Sequence, residues 1–517
     1  MPGVSTAAYV IEAQSNHLNT HLNMDIAEFY NNREIFITGG TGYLGKSLIE
    51  KLLRDCEGIK TLYMLIRPKR GKTALERLND FKNDSIFERV RRERPNVFDK
   101  VVPIFGDCQD IGLGISQEDL NRLKNVSILF HGAAFVKFDN DLRSSILMNT
   151  RGTYELVKIA LTLKQLIAFV HVSTAYIYPE GNYIEEKIYK LPNDWRTAIK
   201  LAETFDVNSL DILRLKYTNF YPNPYSFTKN LSEQIVADHS DALPVTIIRP
   251  AVVSPSYLEP EPGYLDNLNG PMGVLAVVAL GVCQMSYTNP DLKLALIPVD
   301  MVTCLTIASA CQRGLEILNK PKNAPLELRI QTFAPVDLFP FTLLQSAKKM
   351  VEIIKRNPIQ NSVWAPSIRM TTNMYLYFVW LFLVHIPMAI FYDALLIISK
   401  KKPMLLQANR KIFYAVRTLG KFSKKYFEFQ NDGMWNVLKF TLEHDENRRF
   451  YVVDPKDLDF HHAFEALVNG LKKHIFKEPL EATAATRQRF KMFVLLDKSI
   501  KLLLFLIVVR CLWKWTY

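Results

Sequence analysis

Glu34-Ile-Phe-Ile-Thr-Gly-Gly-Thr-Gly-Tyr-Leu-Gly45 decides the fold of this chain. Ile35-Phe36-Ile37 is a short apolar run that reads as a buried parallel strand. Thr38 to Gly42 reads as a turn, and from Tyr43 onward Leu44, Leu48, Ile49, Leu52 and Leu53 have helical apolar spacing. The glycines fit two registers: Gly39, Gly42 and Gly45 at regular steps, and Gly40-Thr41-Gly42-Tyr43-Leu44-Gly45 as G-x-G-x-x-G. One glycine makes the tight turn, one lets a pyrophosphate approach the backbone, and one lets the helix pack closely on the strand. The first N–H groups of the helix then point at a dinucleotide phosphate. Thr38, Gly39, Gly40, Thr41, Gly42, Tyr43, Leu44 and Gly45 are therefore candidate cofactor-binding residues.

Working outward, strand and helix alternate, which predicts an α/β doubly wound parallel sheet of Rossmann type. Strands are expected over Ile35–Thr38, Thr61–Ile66, Val101–Phe105, Ser127–His131, Ala168–Ser173 and Val245–Arg249. Helices between them include Ser144–Lys164 and Phe227–Ser240. Residues 1–32 read as a poorly ordered lead-in, 33–365 as the dinucleotide-binding domain, 366–485 as a mostly helical C-terminal domain, and 486–517 as a membrane anchor. Pro-rich punctuation marks Ser254–Pro262, a substrate-loop candidate, and Pro335–Pro340.

The chain has 517 residues, 48% of them hydrophobic, and a formal net charge of +12. Its pI is about 9.2 and its mean hydropathy near zero. That balance suits anionic partners such as cofactor phosphates, coenzyme A or acidic lipid headgroups. No zinc-finger spacing, RNP motif or basic heptad speaks for nucleic acid. Six scattered cysteines without a C-x-x-C pair read as free thiols in a reducing compartment, with neither a metal site nor a disulfide framework. His461-His462 has no partner spacing for a metal.

The second strand ends Leu65-Ile-Arg-Pro-Lys-Arg70, with no carboxylate at its tip to grip the ribose hydroxyls of NAD. Arg67, Lys69, Arg70 and Lys72 crowd that point instead. A guanidinium there suits a 2′-phosphate, so NADPH is expected, with Arg67 first in reach and Arg70 beside it. Asp107, after the third strand, is placed to accept from the adenine amino group. Ala133, in His131-Gly-Ala-Ala134, lets the sheet edge approach the cofactor.

Tyr225-Ser-Phe-Thr-Lys229 follows Pro222-Asn-Pro224 and puts a phenol and an ammonium on one helical face. The pair suits reduction: Lys229 lowers the phenol pKa and holds the nicotinamide ribose, and Tyr225 protonates a carbonyl oxygen as hydride arrives. Ser173 or Thr174, at the end of the preceding strand, can donate to the same oxygen, with Thr174 favoured. Asn149 is either a positioning residue or a structural one. A covalent route through Cys108 is not needed.

Thr38–Gly45, Arg67–Lys72, Gly106-Asp107, His171-Val-Ser-Thr-Ala-Tyr176 and Pro222–Glu233 together resemble the fatty acyl-CoA reductases, which are extended short-chain dehydrogenases with a male-sterility-type Rossmann domain. Asp266-Asn-Leu-Asn-Gly-Pro271 is similar to that family's substrate-side loop, and Pro298-Val-Asp-Met301 to a later landmark. Tyr43 stands where Phe is more usual, and Tyr264 where Trp is more usual. The resemblance implies alcohol formation. NADPH reduces a long-chain acyl-CoA, the hemithioacetal collapses to aldehyde and coenzyme A, and a second NADPH gives the primary alcohol. A membrane-bound sterol dehydrogenase on the same scaffold, or an NADPH-sensing module, would keep the glycine turn without needing coenzyme A.

Met374–Ile398 is long and apolar enough to cross a hydrocarbon core. Lys400, Lys401 and Lys402 follow it at once, with Arg410 and Lys411 beyond, and they prefer the cytosol. A single crossing is therefore disfavoured. The segment reads as a re-entrant or interfacial anchor, or as an apolar lining for an acyl chain. The tail from Leu502, with Trp513 and Trp515, suits a headgroup interface. Membrane lipid is thus an expected partner. The endoplasmic reticulum, with the catalytic domain facing the cytosol, is the expected location, and the peroxisome second.

Overall fold

A seven-stranded, wholly parallel sheet organises the molecule. The structure is a computed structural model that describes residues 24–68, 71–321, 324–336, 341–420, 422, 424–450 and 457–516. In chain order the strands are β1 (Glu34–Thr38), β2 (Thr61–Ile66), β3 (Val101–Phe105), β4 (Val126–His131), β5 (Ala168–Val172), and then Val245–Pro250 and Arg329–Phe333. Across the sheet they run Arg329–Phe333, Val245–Pro250, β5, β4, β1, β2, β3. The order reverses between β1 and β4, and in an open α/β sheet the crevice for a ligand lies beyond the strand ends at such a reversal. β1, β4 and Val245–Pro250 are buried along their whole length. This is why they read as continuous apolar runs rather than alternating ones.

The expected strands are present with ends shifted by a residue or less. Arg329–Phe333 is additional. Among the described residues it pairs with Val245–Pro250 alone, its first two residues are half-buried, and Arg329, Gln331 and Thr332 break up its apolar residues, so it lacks the signature of a two-sided buried strand. The Ser144–Lys164 expectation becomes Leu142–Ala160, interrupted by a π-type turn at Ile146–Arg151. The lead-in is not structureless throughout. Ile26–Phe29 is a helical turn capped by Asp25, and the Tyr30 hydroxyl donates to the Ile307 carbonyl at 2.8 Å. The apolar side chains of Ile26, Phe29 and Tyr30 are buried in the main core, which outweighs the entropy of ordering so short a segment. Residues 1–23 lie outside the described residues.

Helix Val299–Asn319 packs against the glycine helix Tyr43–Asp55, where Thr303 and Ser47 hydroxyls meet at 2.9 Å. The region after Asn373 is helical. Met374–Ile398 is helical throughout, with a π-type turn at Leu381–His385. It is long and apolar enough to cross a membrane, with mean hydropathy 2.2, yet only 22% of its most apolar window is buried. The buried residues are Tyr377, Leu381, His385, Ala389 and Asp393, one stripe at helical spacing. Both interrupting polar residues sit on that inner stripe. The His385 ring accepts from the Gln284 amide, and Asp393 accepts from the amides of Met404, Leu405 and Leu406, capping helix Leu405–Leu419. The outer face carries Leu376, Phe382, Leu383, Ile390, Phe391 and Ile398, all exposed. Helix Ala484–Thr516 docks by Phe490 and by Phe493, which stacks on Trp364, and by a Trp364–Asp497 hydrogen bond of 3.1 Å. Beyond that bond Leu502, Leu503, Leu506, Val509 and Trp513 are exposed.

Candidate active site

The glycine turn is built as its spacing requires. Gly39 has φ +79°, and a Cβ there would lie 2.6 Å from the Ala133 nitrogen. A Cβ on Gly45 would lie 2.2 Å from the Gly39 carbonyl oxygen. Gly42 is the N-cap of helix Tyr43–Asp55 and supplies no side-chain acceptor, so the helix presents its first amides to the crevice. A turn that only glycine fits, at the switch between β1 and β4, matches a dinucleotide diphosphate. Thr38 braces this floor rather than facing outward: its hydroxyl bonds His131 Nδ1 at 2.7 Å and accepts from the Ala133 amide at 3.4 Å. The Tyr43 side chain turns to the other side, where its hydroxyl donates to the carbonyls of Ser254 and Tyr264 at 3.1 and 2.9 Å. Leu44 packs against the core, which leaves only the backbone of Tyr43 and Leu44 for a cofactor.

Arg67 stands at the tip of β2, as expected, but in an ion pair with Asp107 at 2.8 Å, and its guanidinium lies 5.6 Å from the Phe135 ring. Asp107 also accepts from the Gln109 amide at 3.0 Å. The two residues expected to hold different parts of a dinucleotide hold each other. Arg77 is a residue the sequence reading passed over. From helix Ala74–Lys82 its guanidinium donates to the Arg67 carbonyl, and to Thr41 Oγ1 at 3.1 Å, tying the glycine turn to the basic tip. Lys72 pairs with Asp80 on the surface. Arg70 and Lys69 lie outside the described residues.

Helix Pro224–Asp238 begins with Asn223, whose side chain accepts from the Ser226 amide at 2.9 Å, and with Pro224 in the first turn. That start fixes half-buried Tyr225 and buried Lys229 one turn apart on one face. The Lys229 ammonium donates to the Val172 carbonyl at 2.6 Å, at the end of β5. Burial pulls its pKa down to about 8, against the pull of the Glu233 carboxylate. Tyr225 is half-buried, and removal of its phenol from water pushes its pKa up to about 12, opposed by the Thr174 hydroxyl. This corrects the expectation that lysine lowers the phenol pKa: removal from water dominates at both groups. Thr174 and Tyr225 share the wall of one cavity. Ser173 Oγ is buried and unpartnered, and Ser173 is not part of that wall. Asn149 proves structural: its side chain accepts from the Phe135 amide at 2.7 Å and donates to the Phe135 carbonyl and Thr228. The Cys108 thiol is buried and pushed up to about 12, a poor nucleophile.

The cavity is overwhelmingly apolar. Ser254–Tyr257 and Pro271–Val278 supply one side, Leu343–Met350 another, and Phe422, Phe460, Phe464 and Leu467 close it from the C-terminal helices. Asp300 positions the first of these walls. Its carboxylate accepts from the amides of Tyr257, Leu258 and Glu259 at 2.7–3.0 Å.

A glycine turn shaped for a dinucleotide, Tyr225 and Lys229 one helical turn apart, and an apolar cavity walled in part by Tyr225 and Thr174 define a nicotinamide-dependent oxidoreductase of the extended short-chain dehydrogenase class. Residues 37–306 match a family profile described as male sterility protein, an NAD-binding domain, and residues 384–478 match a second profile of the same description. Fatty acyl-CoA reductase wat of Drosophila melanogaster is 36% identical over 87% of this chain and 85% of its own length. Fatty acyl-CoA reductase 1 of Xenopus laevis is 31% identical over 90% of this chain and 89% of its own, and that of Homo sapiens 30% over the same shares. The chain belongs to the fatty acyl-CoA reductase family. Among solved structures, the terminal R domain of the myxalamid PKS-NRPS pathway superposes with a TM-score of 0.55 at 18% identity, covering 86% of this chain and 92% of that one, a likeness of fold.

Proposed function

We propose that the protein reduces long-chain fatty acyl-CoA to the primary alcohol with NADPH, releasing coenzyme A. The observation that carries this reading is that Tyr225 and Thr174 share the wall of a predominantly apolar cavity that extends to the C-terminal helices at Phe460, Phe464 and Leu467. Gly39–Gly45 would hold the diphosphate, Arg67 and Arg77 the 2′-phosphate end, Asp107 and Ala133 the adenosine side, and Lys229 the nicotinamide ribose. When bound, the cofactor supplies hydride. Thr174 and Tyr225 hold the substrate carbonyl oxygen, and Tyr225 delivers its proton there. A phenol with a raised pKa stays protonated, which is the form an acid catalyst needs. Lys229, anchored at the Val172 carbonyl, keeps positive charge beneath the site.

The same reading places residues 33–365 in the reductase domain, 366–485 in a helical domain and 486–517 in an anchor. Met374–Ile398, with polar residues inward and an apolar face outward, lies in a lipid interface, as does the exposed end of helix Ala484–Thr516. The basic residues after Ile398 keep the catalytic side in the cytosol, with the endoplasmic reticulum as the membrane and the peroxisome second. Product analysis tests the whole reading: membranes holding the protein, given NADPH and a panel of acyl-CoAs, yield fatty alcohol and free thiol. Reduction of a sterol ketone without thiol release would overturn it.

A further inference from the structure

A second chamber lies beside the main cavity. Met374, Tyr377 and Phe378 of the apolar helix line it, with Phe413 and Lys424, and Tyr287 and Val416 are walls of both chambers. Tyr287 ends the short strand Met285–Tyr287, opposite Thr371 in register, so its backbone is fixed. Its ring is held from two sides. Tyr377 lies 5.9 Å away between centroids, and the Lys424 ammonium sits 3.6 Å from the ring centroid. Val416, in helix Leu405–Leu419, is buried, whereas Lys424 is exposed. The Tyr287 ring, flanked by a surface cation, thus lies between the apolar cavity and a neighbouring recess that Lys424 and Lys425 also line. That recess is bounded by Met374, which is exposed at the start of the helix with the outward apolar face.

We infer that Tyr287, clamped by Lys424 over Val416, is the partition that sets acyl-chain length. A chain held with its thioester at Tyr225 fills the main cavity as far as the ring, and carbons beyond that point enter the second chamber only when the ring moves aside. Each methylene that finds an apolar wall instead of water is worth roughly fourfold in binding. Removing the partition therefore rewards longer chains selectively, and a few extra buried methylenes account for a large change in preference. Neither residue touches the reacting carbonyl, so the effect falls on selectivity. The inference rests on the acyl-CoA reading above.

The test gives membranes containing the protein equal hexadecanoyl-CoA and tetracosanoyl-CoA with NADPH and measures the ratio of the two alcohols. Tyr287→Ala is expected to raise the long-to-short ratio by about tenfold or more. Lys424→Met, which frees the ring without touching the core, is expected to raise it by about threefold. Tyr287→Phe keeps the ring and its cation contact and is expected to keep the parental ratio. An active Tyr287→Ala protein with a ratio within about twofold of the parent overturns the partition. If Tyr287→Ala yields no folded protein, an unchanged ratio in Lys424→Met overturns it instead. Absence of any alcohol from the unsubstituted protein would refute the acyl-CoA reading, a result distinct from an unchanged ratio.

Discussion

Arg67 Nη1 lies 2.8 Å from Asp107 Oδ2, joining the tips of two adjacent strands beside the glycine turn. Both side chains are about one-fifth exposed, so the pair is within reach of a ligand and only partly screened. A phosphate ester arriving here competes with a carboxylate for a guanidinium that Arg77 holds in place through the Arg67 carbonyl. Arg67→Ala is expected to weaken NADPH by about ten- to hundredfold, the size of a lost charge-assisted hydrogen bond, and NADH by less than about threefold. Titration of cofactor fluorescence decides it, and equal losses would remove Arg67 from the phosphate site.

Much of this fold was legible because a doubly wound sheet advertises itself: β1, β2 and β4 are apolar runs between turn residues. Arg329–Phe333 was not, because an edge strand with a half-buried start carries no such run. Tyr225 and Lys229 were legible as a pair at helical spacing. The choice between Ser173 and Thr174 was not, since strand β5 stops at Val172 and the direction of the next two side chains depends on the loop geometry. Arg77 and Asp300 act through main-chain carbonyls and amides distant in sequence, and no side-chain pattern signals such bonds. The cavity draws on segments from Phe138 to Leu467, so it exists only once the chain is folded.

The proposed roles of the Tyr225 and Thr174 hydroxyls can be separated by substitution. Tyr225→Phe removes the acid and is expected to lower kcat by about 10²- to 10⁴-fold with cofactor affinity retained. Thr174→Val removes one donor to the developing oxyanion, for a loss of about 10²-fold. Ser173→Ala is expected to stay within about threefold, because its hydroxyl is outside the cavity wall. Steady-state NADPH oxidation measures all three. A severe Ser173→Ala defect beside a mild Thr174→Val one would exchange their roles.

The alkaline limb of the rate profile follows from Lys229. Burial favours its neutral form and brings its pKa to about 8, so the ammonium is present below that value and lost as pH rises through it. Tyr225, at about 12, remains protonated across the same range. The ratio kcat/KM is therefore expected to be flat below pH about 8 and to fall above it. In Lys229→Arg, where the cation does not titrate, that fall should vanish from whatever activity remains. A limb unchanged in the variant would assign the titration to another group.

Gly45 keeps the glycine turn closed by absence of a side chain. Its missing Cβ would sit 2.2 Å from the Gly39 carbonyl oxygen, a backbone atom that cannot yield without opening the turn. Gly45→Ala should abolish dinucleotide binding. Gly71→Ala, at φ +74° with open space around it, should cost only about 1 kcal/mol of stability and leave binding intact. Cofactor-induced thermal shift reads both, and a Gly45→Ala protein with a normal shift would contradict the cradle.

Asp300 places the substrate wall without touching substrate. Its buried carboxylate takes three successive amides, from Tyr257, Leu258 and Glu259, and Tyr257 lines the cavity. Burial raises its pKa and the three amides oppose that rise, so the loop's geometry and the carboxylate's charge sustain each other. Asp300→Asn keeps the size but turns one acceptor into a donor facing N–H groups, leaving at least one amide buried and unpaired at about 1–3 kcal/mol. The loop moves while the glycine turn stays. The expected result is a KM for acyl-CoA raised by about tenfold or more, with NADPH affinity unchanged. Asp300→Glu, which restores the charge at the wrong length, should recover only part of the loss. If both variants instead weakened NADPH and acyl-CoA equally, Asp300 would be holding the whole sheet-to-helix junction rather than the cavity wall, because the glycine helix and helix Val299–Asn319 share a packing face.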